Sequence, residues 1–177
     1  MGFAQHLCLT LTAAALLLLA CAQPSAEAPA PSGAEAEYVG DALCRGCHSV
    51  EASHWDRTTH ARAFAANPRS DLERRSCESC HGPGGNHVKE PTSATIVAFT
   101  RTSAQEPEVM NAMCIQCHRS GPLLFWTGST HELRGLACSD CHNPMAQTSG
   151  QSLLRLENAN ETCFSCHPAQ RAEFGER

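Results

Sequence analysis

The chain changes character twice along its length, from apolar to polar and then to a mixed pattern. Residues 7–20 form an apolar run broken only by threonine, and residues 22–37 hold alanine, proline, serine and glutamate without any aromatic side chain. The apolar run is shorter than a membrane span and is typical of an export signal. The polar stretch has the composition of a disordered tether. We therefore predict a signal peptide over residues 1–21, a tether over 22–37 and a folded domain over 38–177.

The end of the predicted signal peptide allows two interpretations. Leu18, Leu19, Ala20 and Cys21 fit a lipoprotein box, in which Cys21 becomes a lipid-modified first residue. Ala20, Cys21 and Ala22 also fit a cleavage site that would release a soluble periplasmic protein. We prefer the first, because it explains a cysteine at this position. It predicts a protein anchored to the outer membrane by lipid at Cys21, without a spanning segment.

Beyond Tyr38 no helical or strand period is sustained, so only short elements are expected. Glu106, Pro107 and Glu108 are typical of a helix start, with proline and acids in the first turn. Residues 81–85 (HGPGG) predict a turn, and residues 95–100 are the one strand candidate. Aromatic residues make up only 5% of the chain, which is little material for a side-chain core. A fold of short helices and long irregular loops, with almost no β structure, would need a bound group to bury.

The cysteines indicate what that group is. Ten of the twelve form five pairs with two residues between their members, and a histidine follows each pair directly. We number these CxxCH motifs 1 to 5, at residues 44–48, 77–81, 114–118, 138–142 and 163–167. Their cysteines are Cys44 and Cys47, Cys77 and Cys80, Cys114 and Cys117, Cys138 and Cys141, and Cys163 and Cys166. The histidines are His48, His81, His118, His142 and His167.

Each motif has the spacing of a c-type haem attachment site. Two cysteines three positions apart can form thioethers to one haem, and the following histidine then becomes the proximal iron ligand. Zinc binding or a thioredoxin-like CxxC could explain a single motif. Five motifs that all end in histidine favour haem strongly. The sequence therefore predicts five c-type haems and a fold packed around a row of them.

An internal repeat indicates which other histidines could be distal ligands. Motif 1 is followed by Trp55 and His60, and motif 3 is followed by Trp126 and His131 at the same five-residue interval. We predict His60 and His131 as distal ligands because they are equivalent in the repeat. His87 is six residues from His81, too close to loop around that haem easily, so it is assigned to a neighbouring one. His54 and Met145 are further candidates, with a surface or propionate-binding role for His54 and packing for Met145 as alternatives.

The charge argues against a nucleic-acid partner. The formal net charge is −5 at pH 7, and the thirteen basic residues form no cluster. Binding to the phosphate backbone requires clustered Lys or Arg side chains. Redox proteins are the expected partners instead.

Several strings in the chain resemble one family of cytochromes. They are residues 77–87 (CESCHGPGGNH), the two Trp-x4-His units and residues 138–144 (CSDCHNP). The chain resembles the periplasmic multihaem c-type cytochromes of the MtrA/DmsE decahaem type, about their first half. It is also similar to the pentahaem electron donor of cytochrome c nitrite reductase. The resemblance implies a row of closely stacked, mostly bis-histidine, low-potential haems.

The chain departs from this family at two places. Met145 occupies a position where related cytochromes often have histidine, so bis-histidine ligation of that haem is in question. The third repeat begins at motif 5, but its matching histidine would fall just beyond Arg177. Haem five is therefore expected to be five-coordinate or to take a ligand from a partner.

We predict an electron-transfer protein. It would accept electrons from a quinol-oxidising cytochrome and pass them to a terminal reductase or an outer-membrane porin–cytochrome conduit. The first alternative is a reductase with one open haem, although no acid/base constellation points to one. The second is a cytochrome filament in which His54 completes a haem of a neighbouring copy.

Overall fold

The computed structural model describes residues 37–103 and 105–175. The predicted signal peptide, Cys21 and all of the predicted tether except Glu37 lie outside the described residues. The described part is built from short helices joined by irregular loops. They are α1 (Asp41–Cys47), α2 (Ser49–Trp55), α3 (Thr59–Ala66), α4 (Glu78–His81), α5 (Gly85–Lys89), α6 (Pro107–Ile115), α7 (Thr130–Leu133), α8 (Cys138–Cys141), α9 (Ala159–Phe164) and α10 (Pro168–Gly175), with 3₁₀ turns at Glu73–Arg75 and Gly121–Phe125.

No strand occurs in residues 37–103 or 105–175, and an isolated antiparallel bridge joins His142 to Leu154. The predicted fold class of a multihaem cytochrome c is confirmed. The strand predicted over residues 95–100 is wrong, because no neighbouring strand pairs with this segment. The Val97 N–H instead donates to the His81 carbonyl over 3.0 Å, so the segment lies along motif 2.

The helix predicted from Glu106, Pro107 and Glu108 is confirmed. α6 begins at Pro107 with Glu106 as its N-cap, and Met110 lies buried on its inner face. A proline is tolerated at this position because its missing N–H would have no partner in the first helical turn. α6 packs against α4 and α8 and so brings the middle three motifs together.

The internal repeat is also a structural repeat. Thr58 and Ser129 are the N-caps of α3 and α7, and their side-chain oxygens accept the N–H of Ala61 and of Glu132, each over 3.2 Å. The N–H of each cap donates to the carbonyl of the preceding tryptophan over 2.8 Å. His60 and His131 are consequently each the second residue of an equivalent short helix.

Side chains alone make a very small core. Among the described residues only Trp55, Ala61, Met110 and Ala137 are buried apolar groups. Folded domains of this size normally bury many more. The scarcity agrees with a fold that is packed around bound groups. None of the described helices has the length and apolarity required to cross a membrane.

Candidate haem-attachment sites

All five motifs have the same backbone conformation. In each, the N–H of the histidine donates to the carbonyl of the first cysteine, over distances between 2.8 and 3.0 Å. This bond closes one helical turn, which brings both sulfur atoms and the imidazole to the same side of the backbone. Each motif is therefore a helical turn.

Three pairs of histidines lie beside one another. The ring centroids are 6.1 Å apart for His48 and His87, 5.8 Å for His60 and His118, and 6.1 Å for His131 and His167. A metal–imidazole bond is about 2 Å long and the ring centre lies about 1 Å further, so two imidazoles on opposite sides of one metal have centroids about 6 Å apart. Each pair contains one motif histidine and one histidine from outside the motifs.

The pairs join distant parts of the sequence. His60 lies in the first repeat and faces motif 3, and His131 lies in the second repeat and faces motif 5. Each repeat histidine therefore follows one odd-numbered motif in the sequence and lies beside the next one, which is motif 3 for His60 and motif 5 for His131. Motif 5, which the sequence left without a nearby histidine, has His131 beside it.

Backbone carbonyls orient three of the imidazoles. The Nδ1 atoms of His81, His87 and His142 lie 2.8, 3.1 and 2.8 Å from the carbonyl oxygens of Val97, Thr92 and Ser152. A hydrogen bond of this kind fixes the tautomer and leaves Nε2 available to bind a metal. These partners could not be predicted from the sequence, because they are main-chain atoms of loops.

Burial keeps two of the imidazoles neutral. Burial lowers the pKa of His60, and the nearby His118 lowers it further. Burial also lowers the pKa of His81 against the opposing hydrogen bond to Val97, with His48 and His87 adding to the decrease. Neutral imidazole is the form that binds iron.

In the described part of the chain, no histidine ring is paired with the motif histidines of motifs 2 and 4, although His48 and His87 lie near enough to His81 to lower its pKa. Among the described residues, the ring nearest to that of His81 is Phe99, edge-on at 5.3 Å, and no histidine ring is paired with His142. His54 is exposed and lines a cleft of about 400 Å³ with Arg57 and residues of the loop 146–150, which follows motif 4. Met145 is half-buried in the turn after His142, where its N–H donates to the Asn143 side chain over 3.1 Å.

The cysteines of successive motifs lie near one another. Burial raises the pKa of Cys80 to about 11, and the nearby Cys117 raises it too. Cys114 and Cys138 also lie close together, and their interaction raises the pKa of Cys114 and lowers that of Cys138. Burial raises the pKa of Cys141, and Asp140, Cys163 and Cys166 raise it further. Motif 2 is thus near motif 3, motif 3 near motif 4, and motif 4 near motif 5.

Polar contacts link the same neighbours. The Gln116 side chain donates to the Ser79 carbonyl over 2.9 Å, and the Cys138 N–H donates to the Asn111 side chain over 2.7 Å. The Cys77 thiol lies 2.9 Å from the Asp41 carboxylate in α1, which joins motif 2 to motif 1. Arg101 donates to Asp140 over 3.1 Å and lies 3.8 Å from the Cys166 sulfur, between motifs 4 and 5. The contacts therefore follow the order of the motifs in the sequence.

The surroundings of the motifs fit haem. The side-chain nitrogens His60 Nδ1 and Trp126 Nε1 are buried without a hydrogen-bond partner, and both belong to the Trp-x4-His repeat. Val50, Val88 and Leu133 lie within two residues of paired histidines and are 63%, 53% and 76% exposed. A large flat apolar group at the histidine pairs would cover such side chains. The Trp55 ring stacks nearly parallel to His60, with centroids 6.4 Å apart.

Comparison with known proteins points to the same chemistry along most of the chain. The family model for cytochrome c554 and c-prime matches residues 43–76, that for NrfB-like cytochrome c-type proteins matches 77–150, and that for the doubled CXXCH motif matches 131–172. The multiheme cytochrome MtrA of Shewanella baltica is 29% identical over 81% of this chain and 43% of its own length. Cytochrome c-552 of Maridesulfovibrio salexigens is 24% identical over 78% of this chain and 35% of its own length.

The chain spans less than half the length of these two relatives. The matched segments nevertheless follow one another from residue 43 to residue 172 and include all five motifs. The resemblance predicted from the motifs is confirmed: the chain is similar to multihaem c-type cytochromes that transfer electrons.

Proposed function

We propose that the chain carries five c-type haems, one at each CxxCH motif. Each of the five motifs forms the same type of helical turn, and this supports haem attachment at all five. His48, His81, His118, His142 and His167 are the proposed proximal ligands. His87, His60 and His131 are the proposed distal ligands at motifs 1, 3 and 5, because their rings lie at the separation expected for two imidazoles on one iron.

We further propose that the protein relays electrons along a row that follows the motif order from 1 to 5. The observation that carries this proposal is the contact of each motif with the next, from the Asp41–Cys77 contact to the Arg101 bridge. Bound haem would supply the one-electron chemistry. The chain holds neighbouring sites at short range. An electron can then pass between the two ends without a diffusing carrier.

The proposed location is the periplasm, with a lipid anchor at Cys21 in the outer membrane. The motif-rich domain and the predicted signal peptide support export, because c-type haem is attached outside the cytoplasm. The proposed partners are a quinol-oxidising cytochrome upstream and a terminal reductase or porin–cytochrome conduit downstream. Anaerobic respiration is the process that such partners would serve.

Low-temperature electron paramagnetic resonance of the oxidised holoprotein tests the ligand pairs. Alanine at His60, His87 or His131 should each convert one low-spin iron to a high-spin one, with spins counted against haem content. Arg62→Gln is the matched control, because Arg62 is exposed on the same helix as His60 and should leave all signals unchanged. An unchanged low-spin count in all three alanine variants would rule out these pairs.

A second candidate function is a reductase with one open haem. The described part of the chain holds nine histidines for five motifs, and three pairs use six of them. His81 and His142 then have only His54 to share, so histidine from this part completes at most one of motifs 2 and 4. A stoichiometric high-spin signal in the wild-type protein that nitrite or a similar small anion perturbs would favour the reductase. Five low-spin irons would remove it.

A further inference from the structure

Glu78 is a buried acidic residue inside motif 2. It follows Cys77 directly and is only 2% exposed. Its carboxylate accepts the N–H groups of Val39, Gly40 and Gly84 over 3.0, 2.9 and 2.8 Å. Both carboxylate oxygens act as acceptors, which is the hydrogen-bonding pattern of the ionised group.

Among the described residues, Glu78 is the one buried acid beside the motifs that has no cation next to it. Arg45 pairs with Asp41, Arg101 with Asp140 and Arg171 with Glu161. Within residues 37–103 and 105–175, no Lys, Arg or His forms an ion pair with Glu78. No side-chain cation in this part of the chain therefore offsets the charge of the Glu78 carboxylate.

The Glu78 carboxylate is closely packed on the side that faces Gly84. A Cβ atom at Gly84 would lie 3.3 Å from Glu78 Oε1 and 3.0 Å from Val39 Cγ2. Gly84 itself is buried, as is Gly85 next to it. In such a low-dielectric environment a fixed charge acts more strongly on its neighbours than it would in water.

The charge lies between motifs 1 and 2. Glu78 belongs to motif 2, and its hydrogen bonds to Val39 and Gly40 reach the residues just before α1, which carries motif 1. Burial raises the pKa of the Cys44 thiol, and the Glu78 carboxylate is the next largest cause. The hydrogen bonds that Glu78 makes with the described residues therefore reach the segments that carry motifs 1 and 2, and none of them reaches motifs 3, 4 or 5.

A buried negative charge opposes the reduction of a nearby haem. Reduction adds one electron to the iron, so an uncompensated anion stabilises the oxidised form relative to the reduced form. Among the residues at this position of the other motifs, Ile115, Ser139 and Phe164 are uncharged and Arg45 is a cation. Motif 2 is thus the one motif with an acidic residue at this position.

Building on the electron-transfer function proposed above, we propose that Glu78 holds the reduction potentials of the haems at motifs 1 and 2 below those at motifs 3, 4 and 5. Electrons that enter at the motif 1 end then move to sites of higher potential as they travel towards motif 5. Glu78 acts through its electrostatic field and takes no part in electron transfer itself.

Glu78→Gln in the full holoprotein tests this proposal by spectroelectrochemical titration. Glutamine keeps the shape of the side chain and can still accept the Val39 and Gly84 N–H groups, but it removes the charge. We expect the two lowest-potential components to shift upward while the other three stay within error of the wild type. Unshifted low components, or an equal shift of all five, would overturn the proposal.

Two control variants separate charge from structure. Glu78→Asp keeps the charge with a shorter side chain and should retain the low potentials. Glu173→Gln removes one negative charge from the exposed face of α10 and should shift none of the components. A shift with Glu78→Asp as large as that with Glu78→Gln would assign the effect to distortion and contradict the proposal.

A further variant keeps the test decisive if Glu78→Gln fails to assemble. His87→Met should raise the potential of the haem at motif 1 alone, because methionine–histidine ligation raises the potential. The component whose potential rises in this variant must be one of the two with the lowest potentials in the wild type. If it is one of the other three, the proposal is refuted. Fewer than five reversible one-electron components in the wild type would instead refute the electron-transfer function itself, whatever Glu78 does.

Discussion

At the residue scale, a glycine just after motif 2 allows the N-terminal segment to lie against the turn after His81. The Gly85 N–H donates to the Glu37 carbonyl over 2.9 Å. A Cβ atom at this position would lie only 2.8 Å from that oxygen, so any larger residue would push the segment away. Together with Glu78, this contact fixes residues 37–40 on motif 2.

Gly85→Ala should destabilise the holoprotein by about 1 to 3 kcal/mol, since the backbone of the N-terminal segment must shift. Denaturant unfolding followed by helical circular dichroism would measure the loss. Gly46→Ala is the control, because nothing lies within 4 Å of the added atom and α1 should tolerate alanine. Equal stability of the two variants would show that the close approach is unimportant.

Arg45 contributes stability that depends on pH. It donates to Asp56 over 2.8 and 2.9 Å and also pairs with Asp41, and its hydrogen bond lowers the pKa of Asp56 below the ordinary 3.8. A carboxyl with a lowered folded-state pKa stabilises the protein above its unfolded pKa. That contribution disappears as the pH falls through the folded-state value.

Arg45→Gln should therefore cost about 0.5 to 1 kcal/mol at neutral pH, a small value because the pair is partly exposed. The difference from the wild type should narrow below about pH 4, as Asp56 becomes protonated in both proteins. Unfolding free energies at several pH values would test this. Arg74→Gln, which breaks a more exposed pair with Asp71, should have less effect. A penalty independent of pH would show that charge is not its source.

The sequence alone predicts the attachment residues, but it does not show which histidines lie beside one another. CxxCH is a local pattern, and one helical turn determines its geometry. The partners of His48 and His118 are His87 and His60, which depend on how separate loops pack. Glu78 could not be singled out because its partners are main-chain N–H groups. The assignments of His54 and Met145 remain predictions.

At the element scale, short capped helices carry the repeat histidines. Thr58 is fully buried, and its side chain accepts the Ala61 N–H at the start of α3. An N-cap supplies an acceptor for an N–H that has no partner within the helix. Because His60 is only two residues further on, the cap also determines where its imidazole lies.

Thr58→Ala should destabilise the holoprotein by about 1 kcal/mol through loss of the cap. It should also broaden the low-spin signal of the haem that His60 serves, because the helix start becomes less ordered. Thr58→Ser retains the hydroxyl and should behave almost like the wild type in both measurements. Wild-type stability and an unchanged signal in Thr58→Ala would contradict this role of the cap.

The failed strand prediction has an instructive cause at this scale. Residues 95–100 include Thr95, Ile96 and Val97, which favour extended backbone. A strand also needs a partner strand, and none is present in the described part of the chain. The Val97 carbonyl of this segment instead orients the His81 ring. Helix positions were easier to predict because each helix makes its own hydrogen bonds.

At the scale of the whole molecule, stability should depend on the bound haems. With four buried apolar residues among those described, the polypeptide alone has little to hold it folded. Chain produced without haem attachment should lack most of the helical circular dichroism of the holoprotein and be digested rapidly by protease. A haem-free chain with native-like helicity and protease resistance would show that side-chain packing suffices.

The position of a motif in the row should determine how much that motif contributes to the stability of the protein. Motif 3 contacts motifs 2 and 4, whereas motif 5 contacts motif 4. Replacing both cysteines of motif 3 with serine should therefore destabilise the protein more than the same change in motif 5. Mass spectrometry of the haem count and thermal unfolding would measure this. Similar losses for the two variants would argue against a row in motif order.

The pairing of histidines across the repeats has a consequence for biogenesis. A chain crosses a membrane with its N-terminus first, so His60 emerges before motif 3 and His131 before motif 5. With the proposed pairs, haems attached at those two motifs would find their second ligand already outside. His87 follows motif 1, so the haem there would have to wait for it. Of the three proposed pairs, the one at motif 1 should therefore be completed only after its haem has been attached.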